Sequence, residues 1–159
     1  MAFASPADDV YQTPEAFVAD AFSGNAPPPA KLWIAGDLRD ASADILGEAP
    51  SALRTRYWLQ GERSAWILEA IGKERPITAG FVVDHGELEQ ARVLIYRESR
   101  GWEVSLPAFM AQFDGVSLTD DNTLDARIDN ISGATLSVRS MQRMARLALL
   151  YDRAVREDG

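Results

Sequence analysis

Two rhythms of apolar residues divide this chain. Between positions 54 and 96, apolar residues alternate with polar ones or come in short bursts broken by turn residues. After Thr135 they recur every three to four positions. The first rhythm belongs to strands and the second to a helix. Segments 54–59 and 65–71 predict a hairpin turning near Gln60-Gly61-Glu62-Arg63. Segments 77–83 and 88–96 predict a second hairpin turning at His85-Gly86, with β-branched and aromatic residues on both sides. His85 reads as a residue of that turn. A closing helix is predicted over 136–156. Val138, Met141, Met144, Ala145, Ala148, Leu149 and Val155 form one face of it; Arg139, Arg143, Arg146 and Arg153 occupy the other.

Shorter signals fill the rest. Thr13-Pro14-Glu15 opens a helix through about Phe22, with Thr as N-cap, Pro in the first turn and Glu suited to the dipole. Its apolar side carries Phe17, Val18, Ala21 and Phe22. Pro27-Pro28-Pro29 cannot continue a helix. A short strand is suggested at 31–35 and a helix at 37–47, with Leu38, Ala41, Ile45 and Leu46 apolar. Residues 103–106 are a candidate extension of the second hairpin. Residues 106–113 read as a short helix with Pro107 near its start, 115–122 as a polar loop, and 124–128 as a strand leading into the closing helix. The order of elements implies an α+β fold, a mostly antiparallel sheet with helices packed against it. The expected organisation is one globular unit. Residues 1–30 form an N-terminal helix and proline-rich connector, and 31–159 form the main domain.

Composition narrows the chemistry. At 159 residues with 47% apolar content, a single core can be built. A net charge of −8 argues against nucleic-acid binding through a basic surface. The absence of Cys excludes thiol catalysis, disulfides and cysteine-ligated metal or iron–sulfur sites. The single His removes the usual zinc clusters. No run approaches the ~20 apolar residues that span a bilayer, so no transmembrane segment is expected in this chain. Ala2-Phe3-Ala4 has the small-x-small form that ends signal peptides. The expectation is a periplasmic or otherwise extracytoplasmic protein from which a signal peptide has been removed.

The most informative stretch is Asp129-Asn130-Ile131-Ser132-Gly133-Ala134-Thr135, immediately before the closing helix. A small-residue turn ending in a hydroxyl at a helix N-terminus can hold a phosphate. The unpaired backbone N–H groups of the first turn point at it, and the positive end of the dipole favours it. Gly133 and Ala134 let the backbone approach, and Ser132 can donate to a phosphate oxygen. The amides of Leu136, Ser137 and Val138 complete an anion cradle. The Thr135 hydroxyl can itself carry the phosphate as an ester. Arg139 and Arg143 read more simply as a solvated face than as part of this cradle, and Ser132 to Thr135 alone would serve as a plain helix cap.

This run resembles the flavinylation motif of the FMN-binding domain family. That family includes the C subunit of sodium-pumping NADH:quinone oxidoreductase and the G subunit of the Rnf complex. Asp129, Ser132, Gly133, Ala134 and Thr135 match. Asn130 stands where the family often has Gly, and Asn also tolerates a left-handed backbone. A second similarity lies upstream, in Tyr96-Arg97-Glu98-Ser99-Arg100-Gly101-Trp102. Glu98, Ser99 and Gly101 fit a Glu-Thr-Pro-Gly segment, with Arg100 in place of Pro and Trp102 in place of an aliphatic residue. Phe113 and Gly115 fit a Phe-x-Gly step. The resemblance spans about 77–151.

The resemblance implies an electron carrier with FMN joined to Thr135 as phosphothreonyl-FMN. It also implies a separate magnesium-dependent flavin transferase as partner, taking the FMN unit from FAD. Asp129 would repel a bound phosphate, which suits it to recognition of the acceptor loop by the transferase. Glu98 and Ser99 are expected at the ring edge or ribityl hydroxyls, and Trp102 on the ring. Ile77 and Thr78 are expected in the slot wall. Membrane or periplasmic redox proteins are the implied electron partners. Two alternatives stay open: a domain that binds FMN without a bond, and a cofactor-free interaction domain on the same scaffold.

Overall fold

Six antiparallel strands make one sheet in the computed structural model, which describes residues 9–157. The Ala2-Phe3-Ala4 step lies outside the described residues. The strands are β1 (Asp9–Val10), β2 (Ala30–Trp33), β3 (Arg54–Gln60), β4 (Arg63–Ile71), β5 (Pro76–Asp84) and β6 (Glu87–Tyr96). Their spatial order is β1-β6-β5-β4-β3-β2, so β5 lies near the centre, between β4 and β6. The helices are α1 (Pro14–Ala21), α2 (Gly36–Leu46), α3 (Pro107–Met110) and α4 (Thr135–Glu157). The fold is α+β, with a long C-terminal helix laid across the sheet.

Alternation along β5 decides what each face holds. Ile77, Ala79, Phe81 and Val83 belong to the larger core under α4, while Val82 belongs to the smaller one under α1. Covered on both faces, β5 is apolar almost throughout. On the larger side Val138, Met141, Met144, Ala145 and Ala148 of α4 pack against these residues. On the other side Phe17, Val18 and Ala21 of α1, with its C-cap Phe22, meet Ala65, Val82 and Leu94. Thr13 caps α1, its Oγ1 accepting from the Ala16 N–H at 3.2 Å.

Polar contacts fix α4 to the sheet at both ends. Near its C-terminus, Trp66 Nε1 donates to Ser64 Oγ at 2.8 Å, and Ser64 donates to Asp152 at 2.6 Å. Buried Asp152 pairs with Arg156 at 3.0 Å. Trp66 itself is wedged between Tyr57 and Tyr151, with ring centroids 5.1 and 5.7 Å away. Near its N-terminus, Ser140 donates to the Ile71 carbonyl, and Ser137 Oγ lies 3.0 Å from the Tyr96 hydroxyl. Held at both ends, the helix presents its first turn to the edge where β4 ends and β6 leaves the sheet.

The structure corrects several sequence expectations. Residues 124–128 do not form a strand. Leu124 makes one isolated bridge, to Leu118, and the flanking amides are used locally: Thr119 N–H donates to Thr123 and Asp125 N–H to Ser117. Beside Ile95 and Tyr96 of β6 lies β1, a two-residue strand too short for periodicity to reveal. Residues 103–106 do not extend the second hairpin. Gly101, at φ +84°, turns the chain out of the sheet and into a 3₁₀ turn, Trp102–Ser105. Beyond α3, Ala111–Phe113 tightens to 3₁₀ geometry. The 115–122 loop is partly ordered by a bridge between Ser117 and Glu87. Among the described residues no helix is long and apolar enough to cross a membrane.

Candidate functional site

At the N-terminal end of α4 three chain segments enclose a cleft of about 690 Å³. One wall is the loop 72–75, which joins β4 to β5. The second is 97–101, where β6 ends. The third is Gly133 to Ser137. The two motif segments, some thirty residues apart in the chain, thus face one another.

The third wall is built by a turn feeding a helix. Ala134 N–H donates to the Ile131 carbonyl at 2.9 Å across Ser132 and Gly133. Gly133 takes φ +85°, the left-handed value that the third position of a type II turn requires. Ala134 is buried, and its carbonyl accepts from Val138 N–H at 2.9 Å, so it acts as the N-cap. The cradle is therefore shifted by one residue from the sequence expectation. The Val138 amide is paired inside the helix. The amides of Thr135, Leu136 and Ser137 are the ones with no intrahelical acceptor.

The second wall depends on Gly101. A Cβ there would lie 2.5 Å from the Tyr96 hydroxyl and 3.2 Å from Ser137 Oγ. That fully buried hydroxyl donates to the Arg100 carbonyl and meets Ser137. Burial raises the Tyr96 phenol above its ordinary value near 10, against a lowering by the Ser137 hydrogen bond, with Glu98 and Glu103 raising it further. The phenol is therefore a neutral donor, tying β6, the 97–101 segment and α4 together.

The first wall is folded around Glu98. Its carboxylate accepts the backbone N–H groups of Lys73, Glu74 and Arg75 at 2.8, 2.5 and 3.3 Å. Successive amides converging on an anion form a nest. Gly72 leaves space for the carboxylate, since a Cβ there would sit 2.8 Å from Glu98 Oε2. Glu98 is thus engaged by the loop, a role its expected place at a ring edge did not include.

Charge in the cleft opposes the charge of the chain. Lys73, Arg75, Arg97 and Arg100 line it against Glu74 and Glu98, in a protein of net charge −8. Arg97 is partly spent, donating to the Pro76 carbonyl at 2.8 Å and to Thr78 Oγ1 at 3.0 Å. Among the described residues no carboxylate pairs with Lys73, Arg75 or Arg100. Basic side chains and unpaired helix amides around one space favour an anion there.

Of the residues singled out in the sequence, Glu98, Ser99, Gly101, Gly133, Ala134, Thr135, Leu136 and Ser137 line the cleft. Asp129, Ser132, Trp102, Ile77 and Thr78 do not. The Asp129 side chain is 81% exposed and 3.9 Å from Arg127, while its N–H donates to Gln112 Oε1 at 2.8 Å. Ser132 is exposed at the tip of the turn. Trp102 is 47% exposed beside Gly101. Ile77 is fully buried behind the loop. Thr78 points to the α1 face, where it donates to Glu69 at 2.9 Å, because neighbouring strand residues face opposite ways. Arg139 and Arg143 are exposed on α4 away from the cleft. The basic residues of the 72–75 loop were missed. Their one trace in the sequence is a charged Gly72-Lys73-Glu74-Arg75-Pro76 turn, and only the fold shows which site that turn approaches.

A family model described as the FMN-binding domain matches residues 72–150. The chain belongs to the FMN-binding domain family. The match begins at the Gly72 loop and ends in α4, so it contains all three walls of the cleft. No curated protein and no solved structure matches the chain. The protein is an FMN-binding flavoprotein. The cleft suits an FMN group on physical grounds. Its volume lies within the ~300–1,000 Å³ usual for small-molecule sites. Unpaired amides and cations suit the phosphate, and a Cβ at Gly133 would meet nothing within 4 Å, so the backbone there is open to close approach. Trp102 and Leu136, both large apolar side chains left exposed, stand at the same end of the molecule.

Proposed function

We propose that this FMN-binding domain is an extracytoplasmic electron carrier whose FMN is joined to Thr135 through a phosphoester. A separate magnesium-dependent flavin transferase would deliver the FMN unit from FAD. The observation that carries the reading is the placement of Thr135. Its hydroxyl is the first side chain of α4, at the mouth of a basic cleft, beside three amides without an intrahelical acceptor. A phosphate esterified there would sit at the helix N-terminus, where amides and dipole both favour negative charge.

The bound flavin supplies one- and two-electron transfer. The chain's own residues hold and orient it. Ala134 and Gly133 let the backbone come close. Lys73, Arg75 and Arg100 offset phosphate charge, and Glu98 keeps the loop that bears the first two in place. Asp129 stands outside the cleft and well exposed, as expected of a residue read by the transferase and not by the phosphate. A covalent bond would keep the cofactor where free FMN is scarce, in keeping with an extracytoplasmic site. Membrane or periplasmic redox proteins would exchange electrons with it.

Coexpression with a flavin transferase tests the reading. The expected product is a yellow protein heavier by one FMN unit, with colour that survives denaturation, and Thr135→Val should lack the added mass. Flavin retained covalently by Thr135→Val would place the attachment elsewhere. Flavin released by denaturant from the wild type would make the binding non-covalent, and a colourless wild type without added mass would leave an interaction domain.

A further inference from the structure

The geometry points to Asn130 as a positioning residue that holds the Thr135 hydroxyl for flavin transfer, an inference that rests on the attachment proposed above. Asn130 Nδ2 donates to Thr135 Oγ1 at 3.0 Å. The backbone gives no other reason for Asn at this place. Positive φ among the described non-glycine residues occurs at Ser23, His85 and Asn122, and not at Asn130. Its tolerance of a left-handed conformation is therefore unused, and the side chain is what the position employs.

The loop around it is anchored. On one side Asp129 N–H is held by Gln112 Oε1 at 2.8 Å. On the other, half-buried Ile131 packs on the main core, and its carbonyl closes the turn onto Ala134 N–H. Asn130 is thus fixed five residues before Thr135, across a turn that brings its amide onto the hydroxyl.

A threonine hydroxyl offers one O–H and two lone pairs. Asn130 occupies one lone pair and so restricts rotation of the hydroxyl, leaving the other lone pair for attack. In the transfer, the bond from Oγ1 to the flavin-side phosphorus of FAD forms. The bond from that phosphorus to the bridging oxygen breaks, and AMP leaves with the electron pair. The hydroxyl proton passes to a base of the transferase. Once esterified, Oγ1 is a poorer acceptor, and the Asn130 amide is then beside the phosphoryl oxygens, which are stronger ones. One side chain orients the acceptor beforehand and holds the phosphodiester afterwards. The glycine often found at this place in the family can do neither.

Flavin-free full-length chain, incubated with FAD, magnesium and a purified flavin transferase, gives the test through AMP release and intact mass. Asn130→Gly is expected to lower kcat about three- to tenfold, the size of one ordinary hydrogen bond, with KM for the chain unchanged. Asn130→Asp should be slower still, since a carboxylate cannot donate and repels phosphate. Two readouts stand apart from turnover. The Asn130 side-chain amide signals of the flavin-free protein should shift in Thr135→Val, and the phosphorus resonance of the loaded protein should shift in Asn130→Gly. Wild-type kcat and KM in Asn130→Gly, with both resonances unmoved, would overturn the role of Asn130 while leaving attachment at Thr135 intact. A change in KM alone would also overturn it, by making Asn130 a transferase contact. A wild-type chain that takes no flavin would overturn attachment and this role together.

Discussion

Gly101 stands where Tyr96, Ser137 and Ala134 converge, and no other residue type fits there. A methyl group would lie 2.5 Å from the Tyr96 oxygen, on a backbone at φ +84° that side chains rarely adopt. Gly101→Ala should therefore destabilise the protein by about 2 kcal/mol or more, combining strain with displacement of a buried hydroxyl. Thermal unfolding measures this directly, and a variant with unchanged Tm would show that the close contact relaxes freely. The Gly of the upstream motif segment is thus explained by packing as much as by any cofactor. Thr135 and Asn130 carry the opposite message at the same scale: Thr135 lines the cleft, Asn130 is exposed on the loop before it, and their replacement should change the proposed flavin attachment with little change in stability.

Among the elements, the loop 72–75 is the most dependent on a distant residue. It has no apolar anchor of its own beyond its flanking strands, and three of its amides end on the carboxylate of Glu98. Glu98→Ala should leave the hairpin intact but free those amides. Hydrogen exchange at Lys73, Glu74 and Arg75 should then rise by about tenfold or more, while exchange in the middle of β4 and β5 stays level. Unchanged protection at the three amides would mean that the loop holds its shape without the carboxylate. Because Lys73 and Arg75 ride on this loop, the same variant should also load flavin less completely. The α4 helix behaves differently: tertiary contacts fix both of its ends, so its first turn stays in place whatever the loop does.

For the molecule as a whole, two buried tyrosines at the two ends of α4 set an alkaline limit. Burial raises the phenols of Tyr96 and Tyr151 above 10.0, although hydrogen bonds from Ser137 and Ser42 work the other way. The folded protein binds these protons more tightly than the unfolded chain. Their contribution to stability is therefore full below about pH 10 and is lost as pH rises through the raised folded values. Melting temperature should stay level between about pH 8 and 9 and fall above about 10. Replacing both residues by Phe should flatten that fall. An alkaline profile identical in the double variant would assign the loss to other groups.

The same scale shows how far the sequence alone reaches. Periodicity was enough for β3 to β6, α1, α2 and α4, because each carries an apolar face long enough to repeat, and their order implied the α+β class. The motif before α4 was enough to place Thr135 at the start of that helix, because a turn, small residues and a hydroxyl at a helix start constrain one another locally. What sequence did not carry are the parts that depend on which segments meet. The 124–128 segment looks like a strand, but its start bonds back to the loop before it, Leu124 to Leu118 and Asp125 to Ser117, and it joins no strand of the sheet. Thr78 looks like a neighbour of the site but faces the opposite side of the sheet. Lys73, Arg75 and Arg100 become a cation cluster only when the sheet brings the β4–β5 turn and the end of β6 against α4. Local chemistry is written in neighbouring residues, whereas a cleft between three separated segments comes from long-range packing, and only the tertiary structure decides that packing.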